Sequence, residues 1–147
     1  VRNTPWHPEH AIYKGTDLRT GLIRFAERTL GAYSDWIYSW HKNHDPDLCH
    51  IIRYEQLLEN DAATLKQVAT HFQLDASDET IEKITKANSF SAMSGGREKG
   101  RESGTDFARK GVAGDWKNHF DDEIRAKYKE IIGQTLIDFG YEQSLDW

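Results

Sequence analysis

The 147-residue chain is 37% hydrophobic and 29% charged, the balance of a soluble single domain with a real core rather than of a disordered segment. No apolar run approaches the roughly 20 residues that cross a bilayer, the start lacks the layout of a signal peptide, and the single cysteine, Cys49, excludes a disulfide framework and a cysteine-built zinc site. These features point to a cytoplasmic chain with no membrane partner, and a formal charge of −5 with a pI near 5.8 argues against general nucleic-acid binding, so any anion site must be local.

Taken in chain order, the first residues read as irregular: Trp6, His7, Pro8 and His10 follow Pro5, and the absence of a start methionine suggests the interior of a longer reading frame. From Asp17 the apolar residues Leu18, Leu22, Phe25, Ala26 and Leu30 recur at helical steps, with Gly31 as the expected stop. A second short helix carries Tyr33, Trp36, Ile37 and Trp40, an aromatic stripe expected to be core because aromatic rings bury the most surface per residue. After the polar loop His41 to Asp47, the run Leu48 to Tyr54 reads as a short buried strand, centred on Cys49 to Arg53. One strand makes no sheet, so its edge and the neighbouring apolar faces call for self-association or a partner segment.

Asp61 is the expected cap of an amphipathic helix bearing Leu65, Val68, Ala69 and Phe72, and Asp78 the cap of another bearing Ile81 and Ile84. A last helix starts near Asp121 or Asp122, where acidic residues suit the helix dipole. It presents Ile124, Tyr128, Ile131, Ile132, Leu136 and Phe139 to the core until Gly140. The expected architecture is mostly α, about five helices with one or two short strands.

The segment Ser94 to Asn118 departs from this pattern. It holds six of the eleven glycines and six Lys or Arg against four acids, a local charge of +2. Gly95 to Arg101 reads as flexible and polar, whereas Phe107 to Asn118 mixes aromatics, glycines and charges. Arg109 and Lys110 ahead of Gly111 supply a bidentate fork, a point charge and an open backbone N–H, which together suit a phosphate dianion. The flanking Phe107 and Trp116 could fix the loop on the core, and the plainer alternative is a solvated loop pinned by Trp116.

The string Arg109-Lys110-Gly111-x-x-Gly114-Asp115-Trp116-Lys117-Asn118-x-Phe120 resembles the C-terminal signature of the cytosolic-type sulfotransferases, which use 3′-phosphoadenosine 5′-phosphosulfate (PAPS). Upstream, Arg53-Tyr54-Glu55-Gln56-Leu57 is similar to the family's strand-ending Tyr-Glu-Asp-Leu, and Asn88-Ser89-Phe90-x-x-Met93 to its Thr-Ser-Phe-x-x-Met. The likeness covers roughly residues 15 to 140 and about the C-terminal half of such an enzyme. It implies the C-terminal portion of an α/β, P-loop-like fold, with residues 1–147 a single sulfotransferase-like segment. It also implies that Arg109, Lys110 and the Gly111 N–H hold the 3′-phosphate of PAPS or its product PAP, while Tyr54 and Asn88 flank the adenine with Phe90 and Phe107 nearby. Asn88 stands where the family has Thr, and Ala108 where it has Met. Arg2 matches a phosphate-gripping Arg, although the Ser expected eight residues later is His10.

The family's phosphosulfate loop, with its lysine, and its histidine base lie in the N-terminal half; no Gly-x-x-x-x-Gly-Lys-Ser/Thr or Pro-Lys-Ser/Thr-Gly-Thr string occurs here, and none of the seven histidines matches the base. The resemblance thus implies a nucleotide-binding segment that transfers a sulfuryl group to a hydroxyl or amine acceptor only with a complete N-terminal half, with no catalytic residue in this chain. The competing reading is a non-catalytic remnant serving as a structural or interaction module. His7 with His10 and His41 with His44 share an i, i+3 spacing, but prolines and a polar loop surround them, so no metal is expected. Asp121, Asp122 and Glu123 read as helix-start charges. The family's dimer strip is degraded after Lys117.

Overall fold

The computed structural model describes residues 5–104 and 106–147, and the chain divides into two compact units. One comprises the chain up to Asn43 together with Trp116–Trp147; the other is His44–Asp115.

In the first unit, α1 (His10–Tyr13) leads to α2 (Leu18–Phe25), a π-helical turn (Ala26–Leu30) and α3 (Gly31–Asn43), the last three running on without a break. The helix starts after Asp17, as the periodicity indicates, and Asp17 caps α2, its carboxylate accepting the Thr20 N–H at 2.8 Å. Gly31, however, does not stop the helix: it sits at φ −58° and ψ −48°, and nothing in the following residues opposes helix, so the wider π turn absorbs the register instead. The last helix, α7 (Asp122–Asp138), is capped by Asp121, which accepts the Ile124 N–H at 2.9 Å. It ends through Gly140 at φ +67°, where the Tyr141 N–H closes on the Leu136 carbonyl at 2.8 Å. Ile124, 1% exposed, is the best-buried large side chain, and Arg19 ties α2 to the start of α7 through Asp121 at 2.8 Å and Glu123. Phe120 packs on Tyr128 and Trp116 on Trp147.

The aromatic stripe of α3 is not core. Tyr33, Trp36 and Trp40 are 52–60% exposed, because α3 meets α7 through the adjacent stripe. There Ser34 bonds Thr135 at 2.6 Å and the Tyr38 hydroxyl donates to Asp138 at 2.5 Å, while Tyr38 and His41 both pack edge-on against Phe139. Two polar side-chain bonds thus select the face that two indoles would otherwise claim by area.

The second unit contains α4 (Tyr54–His71), α5 (Asp78–Ala87) and α6 (Phe90–Met93), followed by the glycine-rich loop. The expected strand from Leu48 to Tyr54 does not form, and no strand occurs among the described residues. The segment is extended at Arg53, but a lone extended segment has no ladder partner for its N–H and C=O groups, and Leu48 and Ile51 are 73% and 59% exposed rather than buried. The mostly helical expectation holds, and among the described residues there is no sheet.

Cap positions also shift. Helix α4 begins at Tyr54, upstream of the Asp61 cap read from sequence, with Gln56 accepting the Arg53 N–H at 2.7 Å. It kinks at Asn60, whose φ of −154° leaves the helix and whose side chain caps the second half through the Ala63 N–H at 2.9 Å. Ser77 rather than Asp78 caps α5, accepting the Thr80 N–H at 3.2 Å. Ile81 is buried, whereas Ile84 and Phe72 are above 40% exposed.

Candidate nucleotide-phosphate site

The second unit carries a cavity of about 410 Å³. It is lined by Tyr54, at the first residue of α4, by Phe90 and Met93, on α6, and by the loop from Phe107 to Val112. Three stretches that are far apart in sequence therefore meet at one concavity. Ser89 caps α6 by accepting the Ala92 N–H at 3.3 Å, which turns Phe90 inward until it is 7% exposed.

Gly111 crosses directly above the Phe90 ring. It has φ +68°, and a β-carbon there would lie 2.4 Å from Phe90 Cδ2, so both the conformation and the close approach require glycine. Its N–H meets no acceptor among the described residues.

Arg109 and Lys110 converge on one buried carboxylate. Asp115, 8% exposed, accepts from Arg109 Nη2 at 2.7 Å and from Lys110 Nζ. The other prong of the guanidinium donates from Nη1 to Glu102 at 2.6 Å. Asp115, and after it Glu102, hold the Arg109 guanidinium above its ordinary pKa. Asp115 thereby fixes the two cationic heads side by side, while Glu102, 46% exposed in its side chain, is the partner that solvent already reaches. Two charged donors with an open backbone N–H and a half-exposed carboxylate for exchange form a donor set that fits a phosphate group.

Of the residues singled out by sequence, Tyr54, Phe90, Phe107, Arg109, Lys110 and Gly111 share this cavity. Asn88 does not line it: it closes α5, and its amide donates to the Ile84 carbonyl at 2.8 Å. Arg2 lies outside the described residues. Phe107 is 99% exposed, so it does not fix the loop on the core. Nor is Gly95 to Arg101 held only by solvent, since Gly100 and Ser103 donate to the carbonyls of Lys110 and Arg109 at 2.9 and 3.0 Å. Sequence reading missed Glu102, Asp115 and Arg97 as parts of the site; the excess of basic residues in the loop was the available signal that carboxylates inside it would be paired. Among the described residues no cluster of three potential metal ligands occurs, and no helix is long and apolar enough to cross a membrane.

The second unit thus sets a glycine-bearing loop, with two paired cations, beside the Phe90 ring, and comparison with known proteins gives the family of the chain. A family profile described as "Sulfotransferase domain" matches residues 21–140, and the chain belongs to the sulfotransferase family. It is 37% identical over 122 residues to Sulfotransferase 6B1 of Danio rerio, covering 82% of this chain and 40% of that protein. It is 36% identical over 115 residues to Sulfotransferase 6B1 of Homo sapiens, covering 73% and 37%, and 30% identical over 122 residues to Sulfotransferase 1B1 of Canis lupus familiaris, covering 71% and 41%. The chain thus spans about two-fifths of the length of the curated relatives it matches. No solved structure matches it significantly.

Proposed function

We propose that this chain holds the 3′-phosphoadenosine end of PAPS or PAP in a sulfotransferase that moves a sulfuryl group to a hydroxyl or amine acceptor. The observation that carries the reading is the convergence of Tyr54, Phe90 and the Phe107 to Gly111 segment on one cavity. When bound, PAPS supplies the activated sulfuryl group. The work of this chain is to bind and orient the other end of the nucleotide: the outer prong of Arg109 leaves Glu102 for the 3′-phosphate, Lys110 adds a second charge from beside Asp115, and the Gly111 N–H donates a third bond. Tyr54 and Phe107, both exposed, offer ring faces to the adenine above the floor made by Phe90. A base contact from Asn88 requires its amide to release the Ile84 carbonyl.

Charge-assisted hydrogen bonds contribute about 1.5–3 kcal/mol each, and a nucleotide without the 3′-phosphate forfeits them. Calorimetric titration should therefore give tighter binding of 3′-phosphoadenosine 5′-phosphate than of adenosine 5′-phosphate, a difference that shrinks as salt is added. Arg109→Ala should remove the difference while leaving the helical circular dichroism unchanged. Equal affinities for the two nucleotides would refute the proposal. Sulfuryl transfer by the 147 residues alone is expected to be undetectable, since the donors for the 5′-phosphosulfate and the proton acceptor are assigned to residues outside them.

A further inference from the structure

Arg97 is the most heavily engaged side chain of the glycine-rich loop, yet it contacts neither Arg109's nor Lys110's charged head. Its Nη1 donates to the carbonyls of Arg101 and Arg109, each at 2.8 Å, and its Nη2 donates to the carbonyl of Ala108 at 2.5 Å. Asp106 neutralises it at 3.2 Å. The guanidinium carbon lies 5.3 Å from the centre of the Phe90 ring, the ring over which Gly111 crosses. The side chain is only 20% exposed, and its Nε is buried without a partner. One residue therefore grips the backbone on the N-terminal side of the phosphate donors and stacks on the floor beneath their C-terminal side.

We propose that Arg97 is a positioning residue for the 3′-phosphate, one that sets the backbone of Ala108 to Gly111 so that the Arg109 fork, the Lys110 ammonium and the Gly111 N–H point to one place. The inference rests on the PAPS reading and deepens it. The physical case is one of geometry. Loops rich in glycine lose the most conformational entropy on ordering, and this one has Gly95, Gly96 and Gly100 at positive φ, held across by the backbone bonds of Gly100 and Ser103 to the Lys110 and Arg109 carbonyls rather than by a regular ladder. A planar guanidinium has several donors in a fixed fork and can bind carbonyls from separate turns at once; an ammonium is a point donor. Holding the Ala108 and Arg109 carbonyls on one plane fixes the direction in which the intervening side chain leaves the backbone. Preorganised donors bind without an ordering cost at the moment of binding, so the clamp acts mainly on the phosphate increment of affinity.

The test is an amide NMR titration of the 147-residue protein with 3′-phosphoadenosine 5′-phosphate and, separately, adenosine 5′-phosphate, for the parent, Arg97→Ala, Arg97→Lys, Arg109→Ala and the Arg97→Ala/Arg109→Ala pair. The parent should prefer the 3′-phosphorylated nucleotide. Arg97→Ala should lose about tenfold of that preference, the worth of one misdirected charge-assisted bond, with affinity for adenosine 5′-phosphate held within about twofold. Arg97→Lys should lose as much, because charge alone does not bridge three carbonyls. The double variant should lose no more than Arg109→Ala alone.

An Arg97→Ala protein that keeps the parent's preference overturns the inference, as does restoration by Arg97→Lys, which would make the residue a source of positive potential only. Equal weakening of both nucleotides also overturns it, by showing general loosening of the unit. If Arg97→Ala does not fold, Arg97→Lys decides by the same ratio. A parent without preference refutes the PAPS reading itself, whereas a discriminating parent with an indifferent Arg97→Ala refutes only the role of Arg97.

Discussion

Replacing Gly111 with alanine tests the architecture of the proposed phosphate loop in isolation from its charges. Two costs are expected there. The first is conformational: φ +68° lies in the left-handed region, where a β-carbon costs about 1–2 kcal/mol. The second is steric, since that β-carbon would stand 2.4 Å from Phe90 Cδ2 and 2.8 Å from two further atoms of the ring. Phe90 is 7% exposed and cannot simply swing into solvent, so overpacking adds about 1–3 kcal/mol, for a total of about 2–5 kcal/mol. Gly114 provides the matching control. It has φ +74° but no atom within 4 Å of the place an added methyl would occupy, and Gly114→Ala should cost only the conformational share, about 1–2 kcal/mol. Urea denaturation followed by circular dichroism measures both, the midpoint shift being read as stability where the slope is unchanged. Gly111→Ala should also weaken 3′-phosphoadenosine 5′-phosphate binding, since relief of the clash moves the N–H away from the Arg109 and Lys110 heads. Equal destabilisation by the two substitutions would refute the close approach of loop and ring on which the site's geometry depends.

Glu102→Gln removes the carboxylate that occupies the outer prong of Arg109 at 2.6 Å; half-exposed pairs of this kind are worth about 0–1 kcal/mol, so affinity for the 3′-phosphorylated nucleotide should rise by up to about fivefold in calorimetry, and a loss would show that Glu102 assists binding. Ile124→Ala, at the largest fully buried side chain among the described residues, should destabilise the first unit by about 2–5 kcal/mol in the same urea assay, an effect below about 1 kcal/mol being incompatible with its burial. Acid should destabilise the same unit: the Thr20 N–H on Asp17, the Ile124 N–H and then Arg19 on Asp121, and the Tyr38 hydroxyl on Asp138 all lower those carboxyls below their ordinary value. A carboxyl lowered in the folded state contributes stability that is complete above the unfolded value of about 3.9 and lost as pH falls through the folded one, so the thermal midpoint should hold from neutrality to about pH 5 and then drop; a flat profile to about pH 3 would contradict it.

What the sequence by itself determined is what acts within a few residues. Asp17 and Asp121 bond N–H groups three positions ahead, and Gly140 takes the left-handed turn that ends α7; these depend only on neighbours along the chain, and the sequence displays all of them. The glycine-rich loop stood out for a similar reason, because its charge excess and its glycines are local properties, and Gly111 has no room for a β-carbon. Where two local signals competed, the reading slipped: Asn60 and Ser77 took the caps assigned to Asp61 and Asp78, each a neighbouring residue with an equivalent acceptor. Tertiary structure alone decided the rest. Hydrophobicity marks Trp36 and Trp40 as core candidates, but which stripe of α3 faces α7 was settled by Ser34, Tyr38 and His41 finding Thr135, Asp138 and Phe139 about a hundred positions away. The run from Leu48 to Arg53 has the composition of a strand, yet a strand exists only where another supplies the other half of its hydrogen bonds, and within the described residues none does. Likewise no spacing rule places Arg97 on the carbonyls of Ala108 and Arg109 or Asp115 beneath both cations, because those contacts follow from how the loop folds back on itself.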